Sequence, residues 1–316
     1  MCLSANPNYW DAGRGPRLRE VVFRNDLSQE KALDLVAEVP PAEAERIESS
    51  EYAGLVSSEA VYSVAGVIDR YAEGLPLADR RARRALNLAV DRERLVKDTM
   101  LGYASPLAGL APPAAVPEEK QLPPYSHDPD RARGLWREAL KSTGGEQRPL
   151  RLAALGGLES VARAVAEDLT SALGVECEVS VCPAAEEDRV RRRLAEKRLP
   201  QRWDLLIHGH GAQFVESVVP ELHRAFAGAS GEFRAGPVLA EFDSLFAELA
   251  NKTSPGEQAE ISHRIDRFVY EEALALFLYA PRSLYAVNRH VDFTPYRTTF
   301  ELAETRVDEA HWSRRQ

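Results

Sequence analysis

The sequence predicts an α/β protein built as two lobes, and three observations predict it. From Pro149 to His210 the pattern alternates strand, helix, strand, helix, strand, the signature of parallel strands with right-handed crossovers and helices on both faces. A chain of 316 residues exceeds what one hydrophobic core usually organises. With 44% hydrophobic and 28% charged residues the composition is that of a water-soluble globular chain, and no apolar run approaches the ~20 residues of a membrane span.

Taken in order, Arg19–Arg24 reads as a strand and Ser28–Glu38 as a short helix with Ala32, Leu35 and Val36 inward. The glutamate-rich stretch Glu38–Glu51, with Pro40-Pro41, reads as a loop or a poorly packed helix, and Val61–Ile68 as a strand near the passage between lobes. Asp79 caps a helix with Ala82, Ala85, Leu86, Ala89 and Val90 at helical spacing, which leaves Arg80, Arg81, Arg83 and Arg84 largely on its outer face. Asp91 caps the next helix, which stops at Gly102. Six prolines make Pro106–Pro124 an extended connection. Asp128 and Pro129 then start a helix with Ala132, Leu135, Trp136 and Leu140 inward. The alternating unit comprises strand Leu150–Leu155, helix Leu158–Leu173 ended by Gly174, strand Val175–Cys182, helix Ala184–Arg198 and strand Asp204–His208. Helices over Pro237–Ala250 and Ser254–Glu271 follow, the second opened by a Ser254/Glu257 capping box. Strands Ala273–Tyr279 and Ser283–Asn288 return toward the first lobe.

A formal charge of −9 argues against a nucleic-acid ligand, which requires a basic surface for counterion release. The basic run Arg191, Arg192, Arg193, Lys197, Arg198 reads as a plain surface helix interrupted by Leu194 and Glu196. Cys177 and Cys182 lie five apart on a strand, roughly 16 Å and on opposite faces, beyond the ~7 Å reach of a disulfide. The start Met1-Cys2-Leu3-Ser4 carries no basic segment followed by an apolar stretch, so the chain as written would stay in the cytoplasm.

Ligands of open α/β sheets sit outside the carboxyl ends of the strands, here Gly156-Gly157, Pro183 and His208–Gly211. Gly156 and Gly157 can present backbone amides to an anion, but no dinucleotide or P-loop pattern surrounds them. His208 and His210 share a strand face, yet two histidines are too few for a metal site, and no cofactor is expected. No nucleophile elbow exists, and nothing in the sequence assembles His223, His263 and Ser217, or Glu216 and Glu221, into a catalytic group.

Five separated signatures occur in order: Asn6-Pro-Asn-Tyr-Trp10, Ala85-Leu-Asn-Leu-Ala-Val-Asp-Arg-Glu93, His127-Asp-Pro-Asp-Arg-Ala132, Trp203-Asp-Leu-Leu-Ile207 and Leu284-Tyr-Ala-Val-Asn288. Together they resemble the peptide/nickel-type solute-binding proteins (family 5) that feed ABC importers, from about residue 6 onward and over only the later part of that family's length. The resemblance implies a type II periplasmic-binding-protein fold, two α/β lobes joined by crossing strands, with 67–284 as one lobe and 1–66 plus 285–316 as an incomplete remnant of the other. It also implies that a signal peptide and the first part of lobe I precede Asn6, and that the chain is a non-catalytic receptor whose ligand is a peptide or small polar solute and whose partner is an ABC permease. Such a remnant leaves a sheet edge uncovered, to be met by a second polypeptide or precursor, by a dimer, or not at all in a decayed copy. The other reading is a cytoplasmic ligand-sensing module of a transcriptional regulator with the same fold.

In oligopeptide-binding relatives the segment after the fifth strand resembles Gly-Trp-x-x-Asp, the tryptophan lining the cleft and the acid meeting the peptide's amino terminus. The matching positions here are Gly209, His210 and Gln213. An amide in place of the acid loses the charge-assisted share of that hydrogen bond, and Glu216, one helical turn on, either caps a helix start or substitutes as the carboxylate.

Overall fold

The computed structural model describes residues 1–11, 13, 15–25, 33–59, 61–143, 147–198, 202–211, 218–295 and 301–314. In chain order the elements are β1 (Cys2–Ser4), β2 (Glu20–Val22), β3 (Leu35–Val36), α1 (Ala44–Glu48), β4 (Ala53–Glu59), β5 (Tyr62–Ile68), α2 (Arg80–Ala89), α3 (Arg92–Met100), β6 (Ala104–Pro106) and α4 (Pro129–Thr143). They continue with β7 (Leu150–Ala154), α5 (Glu159–Leu173), β8 (Cys177–Val181), α6 (Glu187–Ala195), β9 (Leu205–Gly211), α7 (Val218–Ala227), α8 (Ala240–Ala250), α9 (Pro255–Glu271), β10 (Ala275–Asn288), β11 (Val291–Asp292) and β12 (Arg306–Val307). These form two compact units, Val61–Pro281 and Met1–Ala60 with Arg282–Gln316.

In the larger unit the strands run β10, β5, β9, β7, β8, with β6 on the far side of β10. Strand β5 is antiparallel to both β10 and β9, whereas β7 is parallel to β9 and β8. Side-chain alternation puts one core on each face. Leu150, Leu152, Leu205 and Ile207 pack with Leu86, Trp136 and Val165 of α2, α4 and α5. Ala153, Leu206 and Phe277 pack with Leu222, Phe242 and Ile265 of α7, α8 and α9. Burying each such side chain stabilises the fold by about 1.5–3 kcal/mol.

Local signals act where they should. Asp79 accepts from the Arg81 amide and Asp91 from the Arg94 amide, while α5 ends at Gly174 with φ +69°. Buried polar groups then tie helices to the sheet. Arg92 donates to the carbonyls of Phe277 (2.7 Å) and Asn87 (2.8 Å), and Asn87 Oδ1 accepts from the Phe277 amide (3.1 Å). Burial lowers the Arg92 guanidinium to about 10.

Several expectations are corrected. Leu35–Val36 is not helical but a strand paired with Val287 and Ala286, because tertiary pairing outweighs a weak local pattern; residues 28–32 of that expected helix lie outside the described residues. Glu38–Glu51 resolves into a 3-10 turn and the short α1, which buries Ala44 and Ile47. Arg83 is not on an outer face: it is 4% exposed and donates to the Ala78 (2.8 Å) and Glu272 (2.8 Å) carbonyls. Ser254 caps α9 by position without a side-chain hydrogen bond, and the Glu257 carboxylate pairs with Lys252 at 2.9 Å instead of closing a capping box. The two expected C-terminal strands are one, running through Pro281.

Among its described residues the smaller unit buries few side chains. Strands β1 and β2 pair antiparallel, β4 and β3 pair with the Arg282–Asn288 part of β10, and β11 pairs with β12. Among its described residues Tyr285, Val287 and Phe293 form one cluster with Leu35 and Val56 against it, and Val39, Ala44, Ile47 and Leu284 are also buried. Asp34 Oδ1 fastens the C-terminal segment by accepting from Asn288 (3.1 Å), His311 (2.9 Å) and Trp312 (2.9 Å).

Candidate ligand-binding site

The carboxyl ends of β7, β8 and β9 meet at one edge of the larger unit's sheet. Gly156 and Gly157 follow β7 after Leu155, with φ +58° and +72°, left-handed conformations that glycine adopts at least cost. The Gly156 amide donates to Glu187 Oε1 at 2.7 Å, so the chain's own carboxylate already occupies the first amide of this anion cradle. Space at Gly157 is open: an added Cβ there meets nothing within 4 Å.

Strand β9 extends past His208 through Gly211. Its even-numbered residues face the Leu206 core, which sends both histidines toward α7 and the loop after it. His208 is fully buried, tilted against Phe233 (4.1 Å between ring centres) and stacked on Phe226 (5.5 Å). His210, half-buried, meets the same two rings edge-on at 5.9 and 5.0 Å. The His208 Nδ1–H donates to the Gly209 carbonyl at 3.0 Å, leaving Nε2 as the lone-pair nitrogen. Burial, reinforced by His210, pushes His208 down to about 3, and burial with Arg191 pushes His210 down to about 4. Both imidazoles are therefore neutral near pH 7, suited to stacking and hydrogen bonding rather than proton transfer. Phe233 is held in turn by Lys197, whose ammonium donates to the carbonyls of Gly231, Glu232 and Arg234.

Sequence reasoning missed Tyr62. It lies opposite Gly211 in the β5–β9 register, and its hydroxyl covers Gly209 so closely that a Cβ there would collide with it. The signal was available, because glycines inside a strand mark close approach of another group. Arg191, over the Phe233 ring at 5.8 Å, and Glu187 complete the edge. Thus Gly156, Gly157, Gly209 and His210 fall at one sheet edge, whereas Gln213 and Glu216 lie outside the described residues.

The alternative chemistries find no assembly. Among the described residues no group of three or more His, Cys, Asp or Glu is placed to hold a metal. His223 is buried against Asp266 (2.8 Å), His263 contacts Arg267 (3.1 Å), and Ser217 and Glu216 lie outside the described residues. Asp204, at the foot of β9, is fully buried and held by Arg148 (2.7 Å) and Arg151 (2.7 Å), a structural tie across the strands.

Residues 1–219 match the family model of bacterial extracellular solute-binding proteins, family 5 (middle). The chain belongs to that family. This family 5 chain is 29% identical over 140 residues to the glutathione-binding protein GsiB of Shigella flexneri, an alignment covering 42% of this chain and 27% of GsiB. Among solved structures it resembles a putative peptide-binding protein AppA from Clostridium difficile, with a TM-score of 0.78 at 16% identity, covering 97% of this chain and 64% of that one. The oligopeptide-binding protein AppA from Bacillus subtilis, in complex with a nonapeptide, gives 0.72 at 19% identity, with 97% and 64% covered. NikA from Staphylococcus aureus, in complex with Ni(L-His)2, gives 0.71 at 16% identity, with 97% and 66% covered. The fold of this family 5 chain is that of the periplasmic binding proteins, and the chain spans under two thirds of the first of these structures and about a quarter of GsiB.

Proposed function

We propose that this chain is a non-catalytic solute-binding component of an ABC importer, and that its ligand is a short peptide engaged at the β7/β9 edge. The family match over residues 1–219 carries the reading. The chemistry of the edge supports a peptide over a strongly charged solute. The histidines are neutral, the Gly156 amide is taken by Glu187, and aromatic faces with the Tyr62 hydroxyl and the open Gly157 amide suit uncharged backbone and side-chain groups. Gln213 in place of an acid predicts weak discrimination for a free amino terminus, and Glu216 is the residue that would restore it. The permease would then read the ligand-bound state of the receptor.

Calorimetric titration of the chain with a short peptide, its N-acetylated form, glutathione and Ni(L-His)2 tests this. The expected result is binding of a peptide, nearly indifferent to acetylation and weakened by Tyr62→Ala. Binding of Ni(L-His)2 alone, or of none of the panel at millimolar ligand, would overturn it.

A further inference from the structure

Helix α6 carries a feature that peptide binding does not use. Val190 and Leu194 pack its inner side against the β9 core, and Glu187 and Arg191 on that side serve the sheet edge. The opposite side presents Arg189, Arg192, Arg193 and Glu196 at spacings of three and four, one face of a helix. Arg198 follows just beyond the helix, and these five side chains line a cavity of about 290 Å³. That is room for roughly ten water molecules.

Four arginines around one cavity are unusual on a chain of net charge −9. Like charges three and four residues apart destabilise a helix, and the one carboxylate lining the cavity, Glu196, pairs among the described residues with Arg198 alone, at 2.7 Å. Arg189 and Arg192 make no hydrogen bond or ion pair with any described residue. A planar guanidinium offers paired donors that match phosphate oxygens, and several converging on one cavity reward a multiply charged anion over chloride. We propose that the outer face of α6 is a binding site for a phosphate-bearing anion, separate from the β7/β9 edge. Free phosphates and anionic lipid headgroups share this chemistry, and the test separates them.

The full chain is titrated with pyrophosphate at low ionic strength, and floated with vesicles of phosphatidylglycerol and phosphatidylcholine against phosphatidylcholine alone. The comparison variants are Arg189→Gln/Arg192→Gln, at two exposed positions, and Arg163→Gln on α5, with circular dichroism confirming that each folds. The expected result is binding that weakens with added salt, falls about tenfold or more in the double variant, and is unchanged in Arg163→Gln. Pyrophosphate binding assigns a free anion, and binding to phosphatidylglycerol vesicles alone assigns a headgroup. If neither probe binds, or if the double variant binds as its parent does, the proposal is wrong.

Discussion

The two units of this chain differ in how they are held. Val61–Pro281 has a core on each face of its sheet and buried guanidiniums bonded to backbone carbonyls, whereas Met1–Ala60 with Arg282–Gln316 has short strands and exposes Leu3 (51%), Trp10 (84%) and Val22 (53%). Apolar area removed from water sets the stabilisation, so the larger unit should carry most of it. The contrast teaches that buried polar networks belong where packing can afford their desolvation: Arg92 and Asn87 are buried, while Asp34 and Trp312 stay near the surface.

The largest effect should come from Trp136, fully buried on α4, which packs against α2 and α5. Trp136→Ala should cost about 3–5 kcal/mol by urea denaturation, against about 1–2 for Val287→Ala in the small cluster. Equal costs would erase the distinction between the units. Next comes Asn87→Leu, which strands the Phe277 amide and the Ala275 carbonyl and should cost roughly 2–3 kcal/mol. A loss under half a kilocalorie would show that water or relaxation replaces those bonds.

Asp204→Asn is expected to cost about 1–2 kcal/mol at pH 7, less than a fully buried pair because Arg148 and Arg151 remain partly exposed. Burial raises the Asp204 carboxyl, but the hydrogen bonds from Arg148 and Arg151 together outweigh it and hold it below the ordinary range. Its stabilisation is therefore complete above the unfolded value of about 3.9 and is lost as pH falls below that. Unfolding midpoints from pH 6 to 2 should show a shallower acid loss in the variant. An unchanged slope would mean the carboxylate is not held by those arginines.

His208 shows in slope rather than at neutral pH. Its folded value of about 3 lies below the unfolded one of about 6.5, so its contribution is present above that and declines as pH drops toward 3. His208→Phe, among Phe226 and Phe233, should flatten the stability curve across that window. Parallel curves for variant and parent would place the imidazole in contact with solvent. The smallest effect belongs to Arg46→Ala in the lesser unit, whose exposed pair with Glu43 should change stability by less than about 0.5 kcal/mol.

The strand–helix alternation from Leu150 to Gly211 and the caps at Asp79, Asp91 and Gly174 were legible because each depends on residues within a few positions of one another. Leu35–Val36 misled because two residues carry almost no periodicity, and their state follows from a partner some 250 residues away. Pro281 misled because proline normally ends a strand; here β10 continues through it, pairing Pro281 with Ala104. At the candidate site, Gly156 and Gly157 stand after β7 as the pattern predicts, whereas Gly209 and His210, expected beyond a strand ending at His208, lie within β9. The Tyr62 cover, the Phe226–Phe233 box and the Glu187 carboxylate on Gly156 were not legible, since each comes from a different element.

By itself, then, the sequence determined the fold class and the family, because periodicity, caps and ordered signatures are local in the chain. Tertiary structure alone decided which charges are interior, that His208 and His210 are neutral, and that three arginines of one helix face and Arg198 beyond it line one cavity. Those properties depend on burial and on neighbours distant in sequence, and no local pattern encodes the dielectric around a side chain.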